Sequence, residues 1–171
     1  MHRVYLSIGS NIQPEINLPK AIDLLNGFGT VRAISSAWES HAVGAPGQPN
    51  FLNACVLLET SLPRGNLKEK LVHPIETALG RKRTSDKNAP RTIDLDLILI
   101  DDEPVNLEKW NYPFVIVPLA ELAPEIVHPI AHEKIIQVAE QMRSATWIEK
   151  RSEILKSVVA SFKHEVHKGE K

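Results

Sequence analysis

The stretch Arg91-Thr92-Ile93-Asp94-Leu95-Asp96-Leu97-Ile98-Leu99-Ile100 constrains the fold more than any other part of the chain. It is short, rich in Ile and Leu, and bounded by a Pro-containing loop before it and an acidic turn after it, which predicts a buried β-strand. The two-residue period puts Ile93, Leu95, Leu97 and Leu99 on one face. Thr92, Asp94, Asp96, Ile98 and Ile100 fall on the other. The two carboxylates therefore point the same way, with Cβ atoms about 7 Å apart. Unpaired, they would repel each other and be costly to desolvate among such neighbours. Three arrangements resolve this: a divalent cation such as Mg²⁺ between them, ion pairs with nearby arginines, or solvation on an edge strand.

The segment leading into this strand bears on that choice. Arg81-Lys82-Arg83-Thr84-Ser85-Asp86-Lys87-Asn88-Ala89-Pro90-Arg91 carries five basic residues and one acid. A charge run is commonly a solvated loop. Next to a carboxylate pair it also has the composition needed for phosphoryl transfer, with carboxylates to hold Mg²⁺ and cations to neutralise phosphate charge. The whole chain is not basic: 20 Lys and Arg against 21 Asp and Glu give a net charge of −1. That offers no general attraction to nucleic acid. The length of 171 residues fits one domain. A single cysteine, Cys55, excludes an intrachain disulfide and reads as a small buried hydrophobe. No signal peptide or apolar run of spanning length is evident, so a cytoplasmic protein without membrane association is expected.

Other elements follow in order. Val4 to Ile8 is a strand closed by the turn residues Gly9-Ser10-Asn11, with no nucleotide-loop motif. Residues 15–27 form a helix with Leu18, Ala21, Ile22 and Leu25 on its apolar face and Pro19 in its first turn. Thr30 to Trp38 is a second strand. His41 to Asn50 is a Gly- and Pro-rich loop, and Phe51 to Glu59 a third strand with Phe51, Asn53, Cys55 and Leu57 on one face. Asn53 either reads a hydrogen-bonding ring edge beside Phe51 or satisfies local backbone. Pro63 to Leu79 is a helix interrupted at Pro74 and capped by Gly80. Val105 to Leu107 is a short returning strand, and Trp110 to Phe114 an aromatic loop. Val117 to Ala123 is a short helix, and His132 to Met142 another. Pro129 argues against a helical metal pair of His128 and His132. A final helix is expected over 149–167, its stripe formed by Ile154, Leu155, Val158, Val159, Phe162 and Val166.

The order strand, helix, strand, strand, helix, strand implies an α+β fold. It is read as a ferredoxin-like three-layer α/β/α sandwich with a mainly antiparallel sheet and an extra C-terminal helix. In this order stand Leu6-Ser7-Ile8-Gly9-Ser10-Asn11, Gln48-Pro49-Asn50-Phe51-Leu52-Asn53-Ala54, Ile75-Glu76, Gly80-Arg81-x-Arg83, Ala89-Pro90-Arg91-Thr92-Ile93-Asp94-Leu95-Asp96 and Val117-Pro118-Leu119-Ala120-Glu121-Leu122-Ala123-Pro124. Over roughly residues 4–130 the chain resembles the 6-hydroxymethyl-7,8-dihydropterin pyrophosphokinase family. The Pro-Arg-Thr-Ile-Asp-Leu-Asp run after Gly-Arg-x-Arg is its most specific part.

The resemblance implies transfer of pyrophosphate from ATP to the hydroxymethyl group of a dihydropterin, releasing AMP, in folate biosynthesis. It implies that Asp94 and Asp96 hold two Mg²⁺ ions, with Asp96 assisting deprotonation of the hydroxymethyl group. Arg81 and Arg91 would engage phosphates. Arg83 would assist nucleotide binding, Glu76 would lie in the nucleotide pocket, and Leu97 and Lys109 would line its wall. Asn53 would bind the pterin edge with backbone around Val43 and Gly44, while Phe51 and Phe114 sandwich the ring. The alternatives are a kinase for a related pterin, or a pterin- or nucleotide-binding relative without turnover. The chain departs from the family at Asn88, where an aromatic is common. It also lacks the segment, usually bearing a His and an Arg, that would lie between Pro113 and Phe114. Residues 1–145 form the expected domain, and 146–171 an extension packed on it or on a partner subunit. The expected partners are small-molecule substrates, and the protein is expected to be a monomer or homodimer.

Overall fold

A computed structural model describes residues 1–86 and 88–160. Its centre is a seven-stranded sheet made of β1 (His2–Ser10), β2 (Thr30–Ile34), β3 (Ala37–Ser40), β4 (Phe51–Thr60), β5 (Asp94–Ile100), β6 (Glu103–Pro104) and β7 (Ile148–Arg151). The order is β6-β5-β1-β4-β3-β7, with β2 also on β4, and every pairing is antiparallel. Within it, β5-β1-β4-β2 is the ferredoxin-like arrangement expected from the element order.

Two apolar layers flank the sheet. On one face, Val4, Leu6 and Ile8 of β1 meet Leu18, Ala21, Ile22 and Leu25 of α1 (Pro14–Leu25), together with Leu67, Leu71 and Ile75. On the other face, Tyr5, Cys55 and Leu99 meet Val115, Ile116 and Leu119 of α3 (Pro113–Leu122) and Ile135, Val138 and Ala139 of α4 (Ile135–Ala145). Cys55 is buried and unpaired, as its apolar setting predicts.

Several local expectations change. Thr30 to Trp38 divides into β2 and β3. The 63–79 segment is a 3₁₀ turn, a π-helical turn over Lys68–Val72, and α2 (His73–Ala78). Pro74 explains the interruption, since it has no N–H to continue the ladder and its ring crowds the preceding turn. Pro19 lies in the interior of α1, beyond its first turn. β6 covers two residues rather than 105–107. The aromatic segment is a 3₁₀ turn over Leu107–Asn111 leading straight into α3, with Pro113 in its first turn. β7 occupies Ile148–Arg151, where helix was expected, and helix begins only at 156. Leu155 enters the core, whereas Phe162 and Val166 lie outside the described residues.

The organising strand itself contains a correction. Tyr5 pairs with Leu99 and Leu6 with Leu97, which leaves Ile98 as an extra residue in β5. This β-bulge resets the alternation. Ile93, Leu95 and Leu97 face the α1 side as expected, but Ile98 and Leu99 both face α3 and Ile100 returns to the α1 side. The bulge lies beyond both carboxylates, so Asp94 and Asp96 remain on one face.

Candidate active site

The site begins where β1, β4 and β5 end together. Asp94 lies opposite Gly9 and Asp96 opposite Ser7 on β1. Across β1, Gly9 faces Asn53 and Ser7 faces Cys55. These side chains therefore share the sheet face covered farther along by α3. Gly9 is required by close approach: a Cβ there would sit 2.5 Å from Asn53 Oδ1. Its absence lets the buried Asn53 amide lie over β1, where Nδ2 donates to Ser40 Oγ at 3.1 Å.

Helix α2 delivers the cationic side. Gly80 has φ +73, and Gly80 N–H donates to the Thr77 carbonyl while Arg81 N–H donates to Glu76 at 2.9 Å. This is a Schellman ending, and it folds Arg81 back over the last turn. The Arg81 guanidinium bonds both Glu76 and, at 2.5 Å, Asp94 Oδ1. Arg83 Nη2 donates to the other Glu76 oxygen at 2.8 Å, and Leu95 N–H donates to Glu76 Oε1 at 3.1 Å. Arg91 holds the second oxygen of Asp94. Its backbone is fixed by Asn11, whose Oδ1 accepts from Arg91 N–H at 2.8 Å and whose own N–H donates to the Arg91 carbonyl at 3.1 Å. The 3₁₀ turn after Asn106 then sets Lys109 Nζ 2.8 Å from Asp96 Oδ2.

Glu76 and Asp94 thus meet Arg81, Arg83 and Arg91 in one network, and beside it Asp96 pairs with Lys109. Burial of this kind is tolerable only because the charges are paired. The two aspartates are nevertheless unlike. Burial pushes the Asp94 carboxyl up, but Arg81, Arg91 and Lys109 outweigh it and hold the group below its ordinary range. Asp96 is raised by burial and by the Asp94 charge, against which Lys109 and Arg81 pull down.

A cleft of about 1010 Å³ joins this network to an aromatic end. Its lining includes Glu76, Arg81, Arg83, Arg91, Asp94, Asp96, Leu97 and Lys109, together with Val43, Phe51, Asn53 and Phe114. Gly44 is not a lining residue. It has φ +69, and its carbonyl accepts from Asn88 Nδ2 at 3.2 Å. The Asn88 carbonyl in turn accepts from Gln48 Nε2 at 2.7 Å, so the 41–50 loop and the basic loop are linked. Phe114 stacks on Tyr112 with centroids 5.0 Å apart. Tyr112, Ser7, Ser40 and Asn106 are additions that sequence reasoning gave no role. The pairing of β1 with β5, the register of β3 on β4 and the turn at Asn106 bring them in. His128 stays outside the site: buried, it bonds the Trp110 carbonyl through Nε2 at 2.9 Å and accepts from Ala131 N–H at 3.0 Å through Nδ1.

The family model described as 7,8-dihydro-6-hydroxymethylpterin-pyrophosphokinase matches residues 5–124. The 2-amino-4-hydroxy-6-hydroxymethyldihydropteridine pyrophosphokinase of Synechocystis is 39% identical over 159 residues, covering 85% of this chain and 80% of the relative. The protein of the same name from Aquifex aeolicus is 37% identical over 139 residues, covering 76% and 86%. The fold is also that of a solved HPPK-DHPS structure in complex with substrates, at TM-score 0.62 and 11% identity over 84% of this chain. This chain spans 44% of that longer one. A Plasmodium falciparum HPPK-DHPS triple mutant matches at TM-score 0.62 and 12% identity, with the same coverage. The match to the family model runs from β1 through α3 and so takes in the strands and loops that carry the paired aspartates and their arginines: the chain belongs to the 7,8-dihydro-6-hydroxymethylpterin-pyrophosphokinase family.

Proposed function

We infer that this chain is a pterin pyrophosphokinase of folate biosynthesis, transferring pyrophosphate from ATP to the hydroxymethyl oxygen of 6-hydroxymethyl-7,8-dihydropterin and releasing AMP. The observation that carries this reading is the convergence of Arg81, Arg91 and Lys109 on two aspartates in a cleft that aromatic side chains also line. ATP is the co-substrate. Two Mg²⁺ ions are part of the proposal, held by Asp94 and Asp96. The donor set fits hard cations: two carboxylates that share one sheet face and line the cleft. Mg²⁺ takes its other ligands from water and phosphate, and when bound it neutralises charge on the transferring phosphates.

The chain's own residues supply positioning and electrostatics. Arg81 and Arg91 exchange an Asp94 oxygen for a phosphate oxygen, helped by Arg83, while Glu76 keeps Arg81 aimed. Leu97 and Lys109 form the nucleotide wall. Asn53 hydrogen-bonds the pterin edge with backbone near Val43 and Gly44, and Phe51 and Phe114 stack on the ring. Asp96, the less readily ionised carboxyl, stands ready to accept the hydroxymethyl proton. In this reading residues 1–145 make up the catalytic domain and 146–171 an extension packed on it or on a partner subunit; among the described residues of that extension, β7 pairs with β3. The protein works, in the same reading, as a monomer or a homodimer. Among the described residues no helix is long and apolar enough to cross a membrane. A cytoplasmic location suits an ATP-dependent enzyme. Incubation with ATP, Mg²⁺ and hydroxymethyldihydropterin tests the reading: AMP and pterin pyrophosphate form, and Asp96→Ala stops both. No AMP, or AMP formation indifferent to that substitution, overturns it.

A further inference from the structure

We propose that Trp147, in the segment after α4, is a positioning residue for the 41–50 loop and hence for the dihydropterin acceptor, a role that rests on the pyrophosphokinase reading above. Trp147 lies beyond the residues matched by the family model. Its ring stacks on His41, with centroids 4.5 Å apart and planes at 23°. His41 opens the loop and lines the cleft with Val43 and Phe51. His41 Nδ1 lies 3.0 Å from Asn50 Oδ1 at the loop's other end, and Asn50 Nδ2 donates to Glu39 Oε1 at 2.9 Å. The second Glu39 oxygen is held by Arg151 of β7. The β7 ladder also places Ile148 opposite Ser40, the hydroxyl that fixes Asn53. The segment after α4 therefore grips both ends of the loop and the strand supporting the pterin-edge amide. Between those ends the loop is rich in Gly and Pro, so fixing its base removes ordering entropy that the acceptor would otherwise have to supply.

Trp147 is 41% exposed and belongs to neither core cluster, so its truncation spares the folded body. Trp147→Ala is expected to raise KM for the pterin by about threefold to tenfold, the range an aromatic pair supports. KM for ATP and kcat should stay within about twofold. Trp147→Phe restores most of the loss, and the effects of Trp147→Ala and His41→Ala are less than additive, because both remove the one stack while His41→Ala also removes the contact to Asn50. Hydrogen exchange of the protein without substrates gives an independent readout: amides 41–50 exchange faster in Trp147→Ala and recover in Trp147→Phe. An unchanged pterin KM with unchanged exchange overturns the proposal, as does an equal rise in both KM values. If the wild-type protein fails to turn over the pterin, the functional reading falls, and exchange alone judges the anchor.

Discussion

The two ends of the cleft are built by different means. The ionic end consists of charged groups tied to one another by short bonds, and each oxygen of Glu76 and Asp94 accepts from at least one guanidinium. The aromatic end has no such mesh. It is assembled from β4, the 41–50 loop, the basic loop and the start of α3, where neutral amide bonds and ring stacks take the place of ion pairs. Under the proposed function, the difference suits the two substrates. Phosphate charge must meet dipoles and cations already in place, since reorganising them during reaction is costly. A flat ring instead needs a slot that can admit it and then close. The ionic end should therefore govern rate, and the aromatic end acceptor affinity.

The largest effect expected is on rate. Asp94→Ala or Asp96→Ala should lower kcat by about a thousandfold or more, while calorimetry finds pterin affinity nearly unchanged. A loss appearing mainly in pterin affinity would erase the division between the two ends. Next comes a stability effect. Glu76→Ala leaves the buried Leu95 N–H without its acceptor and Arg81 with Asp94 alone, and should cost about 3 kcal/mol by chemical denaturation. The aromatic end gives a smaller effect of a different kind. Asn53→Ala should reduce kcat/KM for the pterin by about tenfold to a hundredfold through lost edge recognition, with KM for ATP intact.

Much of the ionic end could be read from local spacing. Asp94 and Asp96 share a face because two-residue alternation holds up to Leu97, and Gly80 ends α2 as its lack of a Cβ suggests. Leu99 leaves the face that strict alternation gives it because the bulge at Ile98 arises from pairing with β1, which the strand's own residues do not encode. β7 replaces the expected helix for a related reason. Ile148-Glu149-Lys150-Arg151 is too charged to look like a strand, and its stability comes from β3: Arg151 pairs with Glu39, and Lys150 lies over the Trp38 ring. The aromatic end needed the family resemblance, because Asn53 gains its setting only when Gly9 and Ser40 arrive from other strands.

The smallest predicted effect lies away from both ends and serves as a control. Glu121 on α3 accepts from Ser36 N–H and Trp38 Nε1 at 2.9 Å and pairs with Lys150 of β7 at 3.1 Å. Burial pushes its carboxyl up, but these bonds prevail and its pKa lies below the ordinary value of 4.5. A depressed acid stabilises the fold above its unfolded-state value, and the contribution disappears as pH falls through the folded value. Glu121→Gln should therefore cost about 1 kcal/mol at neutral pH. The gap from wild type should narrow as pH drops below 4.5, measured by denaturation at each pH. Turnover should be unaffected, since Glu121 does not line the cleft.

The most direct measurement is the dependence of AMP release on Mg²⁺ concentration in wild type and in Asp96→Asn, which removes the charge while keeping the shape. If the aspartate pair holds the metal that makes the basic loop productive, wild-type turnover saturates with Mg²⁺. Asp96→Asn should then show no AMP release, or release only at far higher Mg²⁺, with the pterin still bound. AMP release by Asp96→Asn at wild-type rate and with an unshifted Mg²⁺ dependence would contradict it.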